Sequence, residues 1–100
     1  MTLQSLTERI QTLVGTDSGL DASFKFATED GIVAINAKQV PNIVTNEDID
    51  TDCTMEISLK NAEDLLNGEL NPMMGYMMGK FKIKGDMGVA MKISQAMGNS

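Results

Sequence analysis

The stretch Gly79-Lys80-Phe81-Lys82-Ile83-Lys84-Gly85-Asp86-Met87-Gly88-Val89-Ala90-Met91-Lys92 reads as two elements placed back to back. Lys80, Lys82 and Lys84 alternate with Phe81 and Ile83, the period of a strand that is apolar on one side only. Gly85 ends that strand, and Asp86 is placed to cap a helix carrying Met87, Ala90, Met91, Ile93 and Met97. The helix has apolar residues at 87, 89, 90, 91, 93, 96 and 97, more than one stripe needs, and Lys92 is the only charge between Met87 and Met97. A sheet covers one side of such a helix. Something else has to cover the rest, whether a lipid, a membrane, a second subunit or the remainder of a longer chain.

Working back from there, Asn71-Pro72 opens a short helix, with Asn as N-cap and Pro at the first helical position, and Gly79 stops it. An earlier short helix is expected with Asn61 as cap, Ala62, Leu65 and Leu66 as its apolar stripe, and Gly68 as the left-handed residue beyond its end. Cys53, Met55, Ile57 and Leu59 alternate with Asp52, Thr54, Glu56 and Ser58, a half-buried strand. Pro41 interrupts residues 38–50, which read as an irregular edge strand followed by a loop at Asn46-Glu47-Asp48. Upstream, Phe24 and Phe26 share a face opposite Ser23 and Lys25, Asp30-Gly31 signals a hairpin turn, and Ile32 to Ala37 forms the returning strand. The chain opens with an amphipathic helix on Leu3, Leu6, Ile10, Leu13 and Val14. Either Thr2 or a Ser5/Glu8 box caps it, and Gly15 or Gly19 ends it.

One hundred residues make room for one domain, residues 1–100. Eight Lys and Arg against fourteen Asp and Glu give −6, which disfavours nucleic acid as a partner because phosphate neutralisation supplies most non-specific affinity. The charge is uneven: residues 1–50 carry −5, while Gly79 onward holds four Lys and one Asp. Without His, no Ser-His-Asp or Cys-His system can be assembled, and the commonest metal ligand is missing. One Cys rules out an internal disulfide and fits a reducing compartment or a plain buried thiol. No apolar run nears the ~18 residues of a membrane span, and Met1 to Ile10 lacks the features of a secretory leader, so a cytoplasmic protein is expected.

Three patterns compete with plainer readings. Asp48-Ile49-Asp50-Thr51-Asp52 begins like a calcium loop, but the positions that need Gly and Glu hold Cys53 and Leu59, leaving a solvated acidic loop. Met73, Met74, Met77 and Met78 suggest thioether ligands for Cu(I), yet Met more often fills irregular apolar space. Lys80, Lys82 and Lys84 are either gatekeepers on a strand or a foothold on anionic lipid headgroups. Nine Met, seven of them from Met73 to Met97, stand against only four aromatic residues. The choice is between an ordinary tight core and the lining of a cavity for a flexible ligand.

At these residues the chain resembles the sterol carrier protein type 2 family. The resemblance runs from Asp52-Cys53-Thr54 through Gly68-Glu69-Leu70-Asn71-Pro72 to the ungapped stretch Gly79 to Lys92. It implies an α+β fold with a five-stranded, largely antiparallel sheet and helices on one face, enclosing an apolar tunnel for a fatty acid, fatty acyl-CoA or sterol. By position, Met77, Met78, Phe81, Ile83, Met87, Val89, Ala90, Met91 and Ile93 inherit the lining, joined by Phe24, Phe26, Met55 and Ile57 from strand alternation. It further implies a carrier with no catalytic group and no cofactor, a monomer or weak dimer touching membranes transiently through Lys80, Lys82 and Lys84. The competing reading is an accessory module that docks on itself or on a lipid-metabolic enzyme through its last helix. The chain ends in Gly98-Asn99-Ser100, not the family's peroxisomal tripeptide, so a stand-alone cytoplasmic member is expected. Enclosing about 14 methylenes at ~0.8 kcal/mol each yields ~11 kcal/mol before ordering costs, enough for micromolar binding.

Overall fold

The computed structural model describes residues 1–15, 21–39 and 41–98, with side chains to Ile93. The elements in chain order are α1 (Leu3–Val14), β1 (Ser23–Thr28), β2 (Gly31–Asn36), β3 (Ile43–Thr45), β4 (Cys53–Ile57), α2 (Leu59–Leu66), α3 (Pro72–Met77), β5 (Phe81–Gly85) and α4 (Met87–Gly98). The strands form one sheet in the order β3-β2-β1-β4-β5. β1 and β4 run parallel, and the other three pairings are antiparallel.

Register decides what the sheet buries. Phe24 lies across from Ile35 and Cys53, Phe26 from Val33 and Met55, Met55 from Ile83, and Ile57 from Phe81. Since opposed residues point to the same side, these side chains make one apolar face. All but the half-buried Ile83 are buried. Helices cover that face: α1 packs on β2 and β3, α4 on β4 and β5, and α2 touches both α1 and α4. The other face is polar, with Lys25, Thr54, Glu56, Lys82 and Lys84. A parallel β1–β4 pair obliges the chain leaving β3 to cross β2 and β1. Lys25 holds that crossing in place, its Nζ donating to Asp48 Oδ1 at 2.6 Å and to the Ile49 carbonyl at 2.9 Å. Asp48 and Ile49 are thus tied to the sheet.

Local chemistry sets most boundaries. Thr2 caps α1 in a reciprocal box with Ser5, not Glu8, and Gly15 (φ +61°) ends it; Gly19 lies outside the described residues. The hairpin turn is Glu29-Asp30, one position earlier than Asp30-Gly31, with Gly31 at φ +135° already paired with Thr28. Leu59 is not a strand residue. Ser58 Oγ accepts from the Asn61 N–H at 3.1 Å, so the period switches to helical at Leu59 and Ser58, not Asn61, is the cap of α2.

Candidate functional site

The site is built where α3, β5 and α4 meet. Asn71 Oδ1 accepts from the N–H groups of Met73 and Met74 at 3.0 and 3.1 Å, and Pro72 occupies the first helical position, so α3 starts where the sequence indicates. Gly75 lets α3 lie directly on β5: a Cβ there would stand 2.8 Å from Phe81 Cε1 and 3.2 Å from Leu70 Cγ. The turn into β5 is closed by the Lys80 N–H on the Gly75 carbonyl at 2.8 Å and by Asn61 Nδ2 on the Lys80 carbonyl at 2.8 Å. At the far end of β5, Gly85 (φ +98°) lies so close to the Asp52 carbonyl that any side chain would collide with it. Asp86 then caps α4, its Oδ1 accepting from Gly88 and Val89 N–H at 2.8 and 3.2 Å.

Between these elements runs a groove of about 200 Å³ lined by Pro72, Met73 and Tyr76 of α3, Phe81 and Ile83 of β5, and Met87 and Met91 of α4. Its lining surface is apolar throughout. The rings of Tyr76 and Phe81 stand 6.3 Å apart at 41°. A hollow beside α1, lined by Ser5, Glu8, Arg9, Thr12, Leu13 and Leu66, is larger at about 560 Å³ but more open, and it carries charged groups on its wall.

Of the residues expected to line a cavity, Phe81, Ile83, Met87 and Met91 come together in the groove. Phe24, Phe26, Met55, Ile57, Ala90 and Ile93 are buried in the core beneath it, with the two Phe rings edge to face at 5.6 Å. Val89 is half-buried against that core. Met77 and Met78 lie outside the groove, 78% and 63% exposed. At ~100° per residue, 72, 73, 75 and 76 share the inward side of α3, which turns 74, 77 and 78 outward. Pro72, Met73 and Tyr76 are groove residues that reasoning by position did not include. Counting the helical phase from the Asn71 cap identifies them.

Electrostatics keep charge at the margins. Lys84 Nζ pairs with Glu56 Oε1 at 2.9 Å, and that hydrogen bond, then the lysine's charge, holds the Glu56 carboxyl below its ordinary range. Lys80 and Lys82 are exposed; Lys82 lies directly across from Glu56 in the β4–β5 pair and adds its charge to that carboxylate's surroundings, without a salt bridge. Cys53 is buried, and burial, followed by the charges of Asp86 and Asp52, pushes its thiol up, away from nucleophilic thiolate. Nothing on the groove wall is a carboxylate, an amine or a thiol. Such a wall encloses apolar matter by dispersion and dehydration.

Comparison with known proteins follows the same lines. The family model for the SCP-2 sterol transfer family matches residues 3–98. Sterol carrier protein 2 of Oryctolagus cuniculus is 38% identical over 52 residues, 52% of this chain and 10% of that protein, so this chain spans about a tenth of the curated relatives it matches. Among solved structures, the sterol carrier protein domain 2 of Helicoverpa armigera superposes with a TM-score of 0.70 at 27% identity, over 97% of this chain and 85% of that one. Palmitated SCP2L2 from Aedes aegypti superposes with a TM-score of 0.72 at 20% identity, over 97% and 95%.

Proposed function

The chain belongs to the SCP-2 sterol transfer family, and from that premise we propose that it is a non-enzymatic intracellular lipid carrier, holding an elongated apolar ligand between α3, β5 and α4. The observation that carries this reading is the apolar groove, walled by Met, Phe, Ile and Tyr and bordered by further exposed methionines on α3. A cavity of ~150 Å³ holds one benzene ring, so about 200 Å³ shelters roughly eight carbons. Burying those yields ~6 kcal/mol before ordering costs, too little for tight binding alone. A whole acyl chain therefore requires α3 to move outward, widening the groove toward the tunnel that the family resemblance implies. Met73, Met87 and Met91 suit such a wall because an unbranched thioether repacks at little cost. A family neighbour of the same fold is described as palmitated, an occupant of the kind proposed here.

Loading and release belong at a membrane surface. Met74, Met77 and Met78 face outward beside the groove, and the exposed Lys80 follows them in the chain to meet anionic headgroups, while Lys84 is held by Glu56 and Lys82 lies across from the same carboxylate. Among the described residues no helix is long and apolar enough to cross a bilayer, so contact is peripheral. Native mass spectrometry after gentle purification tests the carrier reading. Co-purified lipid is expected; preparations that stay empty and displace no fluorescent fatty acid would overturn it.

A second reading has one observation in its favour. Seven of the eight exposed large apolar side chains among the described residues belong to the segment from Met73 to Met91. As a protein-docking face, that surface would serve self-association or presentation of lipid to an enzyme. Sedimentation of lipid-free protein separates the two, because a concentration-independent monomer removes self-association.

A further inference from the structure

The accessible sulfur of the described chain is gathered around the groove, and it is thioether sulfur. Met73 on α3 and Met87 and Met91 on α4 are part of the groove wall, yet they remain 60%, 43% and 40% exposed. Met74, Met77 and Met78 stand outside the groove and are exposed as well. Cys53 and Met55, by contrast, are sealed in the core at 2% each. Cys53 is removed from oxidation twice over, because burial also holds its thiol protonated and a peroxide attacks the thiolate. A thioether has no proton to lose. Its reaction with peroxide depends on access, which the groove methionines have.

We propose that Met73, Met87 and Met91 form a reversible oxidation site, and that hydrogen peroxide, by converting their thioethers to sulfoxides, closes the groove to an apolar chain. The inference rests on the carrier reading and adds a regulation to it. In each step the thioether sulfur attacks one peroxide oxygen; the O–O bond breaks and an S–O bond forms. The proton on the transferred oxygen passes to the departing hydroxide, which leaves as water, so sulfur is oxidised by two electrons and peroxide is reduced. The new oxygen is a strong hydrogen-bond acceptor, whereas the groove's lining surface is apolar throughout and offers it no donor. A chain laid against that oxygen strips its water without replacing it, which weakens binding about tenfold for each sulfoxide that faces inward. Met87 and Met91 lie one turn apart on α4 and Met73 on α3, so oxygen enters the wall from both sides of β5. Reduction by methionine sulfoxide reductases returns the thioether, which makes the change a switch.

The test treats the whole chain with hydrogen peroxide, locates each sulfoxide by peptide mass spectrometry, and measures dodecanoate binding by displacement of the neutral dye N-phenylnaphthylamine before and after. Met73, Met87 and Met91 should each gain one oxygen while Met55 and Cys53 gain none, and affinity should fall at least about tenfold with the far-ultraviolet circular dichroism unchanged. Methionine sulfoxide reductases A and B with dithiothreitol should restore binding. Dodecanoate present during oxidation should shield Met73, Met87 and Met91 but leave Met74, Met77 and Met78 as reactive as before, a selectivity that surface exposure alone does not produce. Met74→Leu/Met77→Leu/Met78→Leu should lose affinity on oxidation by the same factor as the wild type; Met73→Leu/Met87→Leu/Met91→Leu, whatever its starting affinity, should lose none. The oxidation site is refuted, and the carrier reading stands, if wild type carrying all three groove sulfoxides still binds dodecanoate, if those methionines stay unoxidised while Met77 reacts, if the outer variant becomes immune, or if the reductases restore nothing. Untreated wild type that takes up no dodecanoate would overturn the carrier reading and this inference together.

Discussion

Ile83→Glu is the sharpest perturbation of the groove, because Ile83 lies on its wall, half-buried on an edge strand, where a polar residue disturbs the core less than it would at the buried Phe81 or Met55. The scale comes from the wild type. With each sheltered methylene worth ~0.8 kcal/mol, affinity for straight-chain acids should rise about fourfold per carbon. About eight carbons fit the roughly 200 Å³ groove as it stands, so the rise should flatten near that length. Longer chains should regain affinity only as α3 moves, and the Lys80 amide, hydrogen-bonded to the Gly75 carbonyl, should then exchange faster with solvent. In Ile83→Glu every methylene laid along the wall must dehydrate a carboxylate at a cost of several kcal/mol. The slope should fall below about 1.5-fold per carbon, while Ile83→Leu keeps it. Titration of acids from six to sixteen carbons against a neutral dye supplies the measurement. A slope in Ile83→Glu equal to the wild type would show that the chain does not lie in the α3–β5–α4 groove.

Other outcomes follow from the same geometry. Asn71→Ala removes the acceptor for two N–H groups of α3 and should cost about 1 kcal/mol, read from urea unfolding, together with weaker uptake of fatty acid. Asp52 is held below the ordinary carboxylate pKa by the Ser23 N–H first and by Lys38 second. A depressed folded pKa contributes stability above the unfolded value near 3.8 that is lost as pH falls through the lower folded value. Asp52→Asn should therefore flatten the acid limb of a stability–pH curve and leave its slope at neutral pH unaltered. Fatty acid at about one hundred times its Kd should stabilise the chain by ~2.7 kcal/mol and raise Tm by about ten degrees in calorimetry. A melting curve indifferent to lipid would count against the α3–β5–α4 groove as a lipid site.

Elements governed by local chemistry were legible in the sequence. Asn71-Pro72, Gly79 and Asp86 each satisfy or remove a specific backbone group, so the limits of α3, β5 and the start of α4 follow from a few residues. Leu59 shows where such reading slips. Apolar alternation runs on through it, but the Ser58 hydroxyl captures an amide three residues ahead and changes the period at that point. Phe24, Phe26, Met55 and Ile57 were legible as one buried face because strand alternation fixes the face. Whether a buried face borders a ligand or only the core depends on what sits above it, and α4 covers β4. Met77 and Met78 differ for a related reason: in a helix of six residues a single position of phase decides between groove and solvent. The family resemblance picks out the segment that holds Met77 and Met78. The Asn71 cap fixes which side of it faces in.

The parallel β1–β4 pair also bears on how the protein assembles and opens. Phe24 and Cys53 meet across 29 positions of chain, whereas β1–β2 and β4–β5 belong to shorter excursions or are guided by a capped helix. Closing that long loop is the entropically costly step of folding, so the β1–β2 hairpin should form early and wait for β4. Once formed, the pair leaves β5 attached to the sheet along β4 alone. The part of the molecule that carries the groove can thus peel from the edge as one cooperative unit while β2, β1 and β4 stay paired. Amide exchange should separate the two regions, with β5 and α3 opening at a lower free energy than the central strands.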